Sequence, residues 1–145
     1  MERAIKRLNV KDAELLSNFF EEHISDRDKE LFKPFAFDVD TLTEVLSKDI
    51  HLGCFDDGVL VGHGMARWQE EYTSPMLGIV VSLYHRRKGI GYDLIKELMH
   101  SCKGNSCIKC KVFKDNAGSM LLFIRLGFNF KYYNLYEFIG EYYEG

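Results

Sequence analysis

Three cations stand directly before two glycines in Arg86-Arg87-Lys88-Gly89-Ile90-Gly91. An apolar segment, Met76 to Val81, leads into them, and a helical pattern, Tyr92 to Met99, follows. Glycine lets a backbone approach a ligand closely, because no side chain stands in the way. A helix start offers unpaired N–H groups and the positive end of a dipole, which together bind phosphate. The chemistry that these residues could do is to hold a pyrophosphate, with Arg86, Arg87 and Lys88 adding charge. A second cluster, Cys107-x-x-Cys110, could bind zinc or cycle a disulfide. It falls in an alternating segment, Ser106 to Phe113, and strand positions three apart point to opposite faces. No second close pair accompanies it, so these cysteines are expected to be reduced and to hold no metal.

The elements that must carry the glycine loop follow from periodicity. Ala4 to Leu8 reads as a short strand, and Asp12 to His23 spaces Ala13, Leu15, Leu16, Phe19 and Phe20 as an amphipathic helix. Residues 24–40 read as an irregular connection around Lys33-Pro34-Phe35. Asp40 or Thr41 is expected to cap a helix through Ser47, with Glu44 at capping-box spacing from Thr41. His51 to Phe55 and Val59 to Trp68 flank Asp56-Asp57-Gly58, a hairpin signal. Met76 to Leu83 reads as a central strand. The helix after the loop runs to about Cys102, stopped by Lys103-Gly104-Asn105. A strand over Cys107–Lys114, a helix from Ser119 to Leu126 closed by Gly127, and a strand or hairpin from Phe128 to Phe138 complete the chain. The order β-α-α-β-β-β-α-β-α-β predicts an α/β fold with a mixed, mostly antiparallel sheet flanked by helices.

Size and charge bound the function. The 145 residues fit one domain, spanning 1–145, and 46% apolar content argues against disorder. A net charge of −3 disfavours a general nucleic-acid binder. No apolar run approaches the roughly 20 residues of a membrane helix. Met1 to Arg7 lacks the apolar core of a signal peptide, so a cytoplasmic protein is expected, without membrane or nucleic-acid partners. A dinucleotide site is disfavoured, since Leu94 stands where a third glycine belongs, and the Gly-Lys-Ser/Thr of a P-loop is absent.

The element order and two motifs resemble the GNAT superfamily of acetyl-CoA-dependent N-acetyltransferases. The family's Arg/Gln-x-x-Gly-x-Gly/Ala signature is matched by Arg86 to Gly91 in its strand-turn-helix setting. A second family block is matched by Asn116, Leu122, Gly127 and Phe128, with Asn116 eleven residues before Gly127. The resemblance covers most of the chain and is strongest from Met76 to Phe128.

The resemblance implies that acetyl-CoA is the co-substrate. Its pyrophosphate would lie on the amides of residues 87–91, and Arg86, Arg87, Lys88, Gly89, Ile90 and Gly91 would form that site. Its pantetheine would pair with the strand Leu77–Val81, Ile79 included, and an N–H at Val80 or Val81 would polarise the thioester carbonyl. Asn116 would hydrogen-bond the pantetheine arm, a role compatible with capping a helix. The family's usual tyrosine acid falls at Phe123 here, which has no proton to give, although the position belongs to the cofactor side. Tyr132, Tyr133, Tyr136 and Tyr72 are the substitutes, and each could equally be a packed or surface aromatic. Glu70 or Glu71 could bind the acceptor amine or take its proton, or lie solvated in a loop. His63 could face the cleft or pack in its strand, and His85 could touch phosphate or lie on the surface. The three phenylalanines of Glu30 to Phe37 could line the acceptor pocket or cap the core. The implied activity is acetyl transfer to a primary amine, a small molecule in the first reading. A protein N-terminus or lysine, or a non-catalytic acyl-CoA-binding module, are the alternatives. The aromatic segment Tyr132 to Tyr143 leaves monomer and homodimer both open.

Overall fold

A computed structural model describes residues 3–31, 34–68 and 74–143. Its elements are β1 (Arg3–Arg7), α1 (Ala13–His23), α2 (Asp26–Leu31), α3 (Val39–Lys48), β2 (Ile50–Asp56), β3 (Val59–Arg67), β4 (Met76–Val81), α4 (Ile90–Ser101), β5 (Cys107–Phe113), α5 (Ala117–Arg125), β6 (Asn129–Tyr132) and β7 (Glu137–Tyr143). Single 3-10 turns at Val10–Asp12 and Leu83–His85 lead into α1 and out of β4.

The strands form a seven-stranded sheet in the order β1-β2-β3-β4-β5-β7-β6. Neighbours are antiparallel except β4 and β5, which are parallel. This is the mixed, mostly antiparallel α/β fold expected from the sequence. The β2–β3 turn holds Asp57 at φ 50° and Gly58 at φ 83°, the two positive values that a tight right-twisted hairpin requires.

Each face of the sheet buries its own core. On one, Ile90, Leu94, Ile95 and Leu98 of α4 pack with Val61, Leu77, Ile79, Cys110 and Phe123. On the other, Leu16, Phe19 and Phe20 of α1 and Leu42 and Leu46 of α3 pack with Leu60 and Val80. Helix α4 lies unusually close to β3. A Cβ at Gly62 would stand 2.9 Å from Ile90 Cγ2, and one at Gly64 would stand 2.9 Å from Leu98 Cδ1. Those two glycines therefore set the depth at which α4, and the loop before it, rests on the sheet.

The structure departs from the sequence expectations in three places. Residues 24–40 contain α2, opened by Ser25, whose hydroxyl accepts from Asp28 N–H at 3.2 Å and donates to the Asp28 carboxylate at 2.9 Å. That Ser-x-x-Asp pair is a cap, and the short, charged helix behind it carries too few apolar residues to show a period. Helix α3 is capped by Asp38, which accepts from Thr41 N–H at 2.9 Å, rather than by Asp40 or Thr41. Helix α5 begins two residues early, at Ala117, because Asn116 is its cap. The C-terminal aromatic segment, expected as a strand or hairpin from Phe128 to Phe138, is a hairpin, β6 and β7, that runs on to Tyr143, and β7 inserts between β6 and β5.

Cys107 and Cys110 are buried on β5 and carry free thiols, and burial pushes the Cys110 thiol well above its ordinary range. No group of three or more metal-ligating side chains occurs among the described residues. No helix among them is long and apolar enough to cross a membrane.

Candidate functional site

Parallel pairing of β4 with β5 covers only Met76↔Lys109 and Leu77↔Cys110. Beyond Leu77 the two strands part. The rest of β4 stays paired to β3, from Gly78↔Met65 to Val81↔Gly62. Strand alternation then decides which backbone groups are left over. Ser82 N–H donates to Val61 C=O at 2.8 Å, so Ser82 faces β3, and in the same register so does Val80. The N–H and C=O groups of Ile79 and Val81 consequently face the gap. Of the two N–H groups considered from sequence, that of Val81 faces the gap and that of Val80 faces β3. Val80 instead buries its side chain on the α1 face.

The gap opens into a cleft of about 1050 Å³. Its walls are Ile79, Val80 and Val81 of β4, the loop His85 to Gly91 except Lys88, Tyr92 of α4, Asn116, and one face of α5. Gly118, Leu121, Leu122 and Arg125 supply that α5 face at i, i+3, i+4 and i+7. Asp28 of α2 closes the remaining side.

The loop is shaped by two left-handed residues, Arg87 at φ 63° and Gly89 at φ 81°. Backbones that alternate in this way turn successive N–H groups inward into an anion-binding concavity. Gly89 is also the N-cap of α4, and it has no side chain to accept from the first-turn amides. Those amides are left for an anion. Arg3 of β1 fixes the loop from outside, donating to Lys88 C=O at 2.6 Å and to the Asp93 carboxylate at 2.6 Å. Gly91 seats the helix start against the cleft wall, since a Cβ there would lie 2.8 Å from Leu122 Cδ1 and 3.3 Å from Ile79 Cδ1.

Of the residues singled out from sequence, Ile79, Val80, Val81, His85, Arg86, Arg87, Gly89, Ile90, Gly91 and Asn116 line the cleft, and Phe123 lines a small neighbouring pocket between β4 and β5 that shares Ile79 and Asn116 with it. Asn116 both lines the wall and caps α5, accepting from Ser119 N–H at 3.3 Å. Phe123 is otherwise a core residue, 2% exposed, edge-on to Phe128 and Phe130. Lys88 is exposed and is not part of the cleft lining, and its carbonyl accepts from Arg3. Arg86 forms an ion pair with Asp28, so its charge spans from loop to α2 across the cleft.

Tyr132 is not brought to the site. It is 72% exposed on β6, its ring against Phe138 and its hydroxyl accepting from Lys114 Nζ at 3.3 Å. Tyr133 and Tyr136 are likewise exposed and outside the cleft lining. Glu70, Glu71, Tyr72, Phe32 and Lys33 lie outside the described residues. Phe35 and Phe37 pack against the α1 core, with Phe37 stacked on Phe20 at 4.0 Å. His63 is a buried strand residue, hydrogen-bonded to His51 at 2.9 Å.

Sequence reasoning passed over Asp28, Tyr92, Ser119 and Arg125 of the wall, and Arg3 behind the loop. A helix from Ser119 to Leu126 was expected, but a helix assignment does not say which of its faces meets a core and which a cleft. Arg3 sits about ninety residues from its partners, beyond any local signal.

Comparison with known proteins bears on this geometry. The model of the acetyltransferase (GNAT) family matches residues 13–128. Among solved structures, an acetyltransferase of the GNAT family from Streptococcus pneumoniae superposes with a TM-score of 0.79 at 17% identity, covering 99% of this chain and 100% of that one. The PaiA N-acetyltransferase from Thermoplasma acidophilum, in complex with coenzyme A, gives 0.78 at 18% identity, covering 99% and 100%. The ribosomal-protein-S5-alanine acetyltransferase from Vibrio fischeri gives 0.76 at 12% identity, covering 99% and 93%. Among curated protein sequences, none matches significantly.

Proposed function

The chain belongs to the GNAT acetyltransferase family, and from that premise we propose that it moves an acetyl group from acetyl-CoA to a primary amine of a small molecule by direct transfer. The observation that carries this reading is the parting of β4 from β5. It leaves the N–H groups of Ile79 and Val81 unclaimed, in line with a glycine loop built for phosphate.

The residues present fit acetyl-CoA end to end. The amides at Ile90 to Tyr92 and the guanidinium of Arg87 suit a pyrophosphate. The bare edge of β4 suits the two amides of pantetheine, which would add to the sheet as a short strand does. The apolar α5 face, Leu121 and Leu122, suits its aliphatic stem.

In the transfer, the amine nitrogen attacks the thioester carbonyl carbon. A C–N bond forms, and the carbonyl oxygen gains negative charge. Val81 N–H is the donor placed to hold that charge, and donors of this kind are worth about 3–4 kcal/mol to the transition state. Collapse breaks the C–S bond, the amine loses one proton and the thiolate gains one. Tyr92 and Ser119 are the hydroxyls on the described wall that could protonate sulfur.

The test is to incubate the protein with acetyl-CoA and a library of small amines, peptides and lysine-bearing proteins, following thiol release. Turnover on small amines is expected. Turnover confined to peptides or proteins replaces the acceptor class. Tight acetyl-CoA binding with no turnover on any amine makes the chain a cofactor-binding module, and absence of acetyl-CoA binding overturns the reading of the cleft itself.

A further inference from the structure

Ser82 is fully buried where β4 ends, on the face that α1 covers. Its hydroxyl oxygen lies 3.2 Å from His85 Nδ1 and 3.2 Å from His23 Nδ1. His85 belongs to the 3-10 turn between β4 and the glycine loop, and it lines the cleft. His23 is the last residue of α1; it lies outside the cleft lining and stacks on Phe19 at 5.7 Å and 18°. The two imidazoles, 6.5 Å apart, are thus joined only through the Ser82 hydroxyl.

A hydroxyl donates one hydrogen and can accept others. It can donate to only one of the two Nδ1 atoms, so at least one histidine must carry its proton on Nδ1 and donate to Oγ. The arrangement that conducts a proton is the one in which the hydroxyl donates to the second histidine, which then carries its own proton on Nε2. We propose that His85, Ser82 and His23 form a proton relay, with His85 as the base that deprotonates the acceptor amine and Ser82 and His23 as the positioning residues that carry the proton away from the cleft. The inference rests on the amine-acetylation reading above.

The relay balances atom for atom. Before transfer His85 holds Nδ1–H, donated to Ser82 Oγ, and its Nε2 lone pair is free. Ser82 donates its own hydrogen to His23 Nδ1, and His23 carries Nε2–H. The amine proton lands on His85 Nε2. The His85 Nδ1 proton passes to Ser82 as the Ser82 proton passes to His23 Nδ1, which leaves His85 neutral and His23 an imidazolium. His23 then releases its Nε2 proton to solvent. The charge leaves the cleft without a separated ion remaining beside the thioester. The other charged groups around the chain are Arg86, adjacent to His85, and Asp28 of α2, which Arg86 ties down.

Two measurements test this. Histidine 15N spectra of the free protein should show His23 and His85 in opposite tautomers, and Ser82→Ala should abolish that opposition while leaving the acetyl-CoA affinity within about twofold. With an amine acceptor in hand, His85→Gln should lower kcat by about a hundredfold, the lower range for a general base, and remove the acid limb of the pH profile of kcat/KM. Ser82→Ala and His23→Phe should each shift that limb, and combining them should add nothing further, because both break one chain. If Ser82→Ala does not fold, His23→Phe, which keeps the stack on Phe19, carries the comparison. Matching tautomers in the wild type, or an acid limb that survives His85→Gln, overturns the relay. Opposite tautomers in a protein that binds acetyl-CoA but acetylates no amine overturn the catalytic role and the amine reading together, while leaving the hydrogen-bonded chain standing.

Discussion

Lowering the pH from 7.5 to 5.0 should cost this protein about 4 kcal/mol of stability, and the loss should reside in two histidines. His51 and His63 are both 0% exposed, side by side on β2 and β3, with rings stacked at 5.2 Å and 5° and one hydrogen bond of 2.9 Å between them. Phe20 and Phe35 close over them edge-on. Burial, and then the charge of Arg67, push the His51 imidazolium down to about 4. Burial, and then His51 itself, push His63 well below its ordinary value. The unfolded chain binds these protons near pH 6.5, and the folded protein refuses them. Stability is therefore complete above 6.5 and falls as pH drops toward 4. At 1.36 kcal/mol per pH unit for each group, descent from 6.5 to 5.0 costs about 2 kcal/mol per histidine. Against a typical total of about 5–15 kcal/mol, that is a large share. Urea unfolding followed by circular dichroism at both pH values reads it directly. With a slope of about 2 kcal/mol/M the midpoint should fall by about 2 M. The double variant His51→Leu/His63→Leu, of similar volume, should be nearly flat over the same range. A wild-type loss below about 1 kcal/mol, or an equal loss in the double variant, would refute the assignment.

The other predictions concern the cleft. Gly91→Ala should raise KM for acetyl-CoA more than it lowers kcat, at about 1–3 kcal/mol of stability, because its Cβ must displace Leu122 and Ile79, both on the cleft wall. Isothermal titration with CoA and thermal unfolding separate the two effects, and an unchanged KM would count against the wall assignment. Arg3→Ala removes two hydrogen bonds to the loop and its helix and should weaken CoA binding about fivefold, or about 1 kcal/mol; an unchanged affinity would show that the loop keeps its shape unaided. Tyr132→Phe should leave kcat/KM within about twofold, since the hydroxyl accepts from Lys114 at an exposed edge outside the cleft lining. A hundredfold loss would restore that tyrosine to the chemistry.

The cofactor side of this site was legible because its signals are local. Arg86 to Gly91 sits in eight or so residues whose type, order and flanking periods each point to the same strand-loop-helix. Asn116 was legible for the same reason, as a cap. The proton chemistry was not. Asp28, His23 and Ser82 come from α2, α1 and the end of β4, and only the sheet order brings them to one region. Helix α2 escaped notice because a six-residue charged helix has no apolar period, and its cap, Ser25 with Asp28, is a polar pair of a kind that loops also contain. Tyr132 was the converse case: a tyrosine on the last hairpin is chemically able, but β6 is the outermost strand, and the edge position takes its ring away from the β4–β5 gap.

Strand β4 divides the labour of the site by alternation alone. Ile79 sends its side chain into the α4 core and Val81 packs against that same core. Their backbone groups, lying in the sheet plane, face the gap left by β5. Val80 and Ser82 turn to the opposite face, where Val80 joins the α1 core and Ser82 meets His23 and His85. One strand thus presents the Ile79 and Val81 N–H groups in its plane, an apolar wall on one face and a serine hydroxyl between two histidines on the other. A one-residue slip in the β3–β4 register would exchange all of these at once, placing Val80 N–H in the gap and Ser82 against Ile90 and Leu94. Burial opposes that slip: Ile79 and Val81 would leave the α4 core, and the Ser82 hydroxyl would lose both histidines and enter it. The register of β4 on β3 therefore decides at once which backbone groups face the gap and which side chains meet each core, while Gly62 and Gly64 set how closely α4 and the loop before it rest on the sheet.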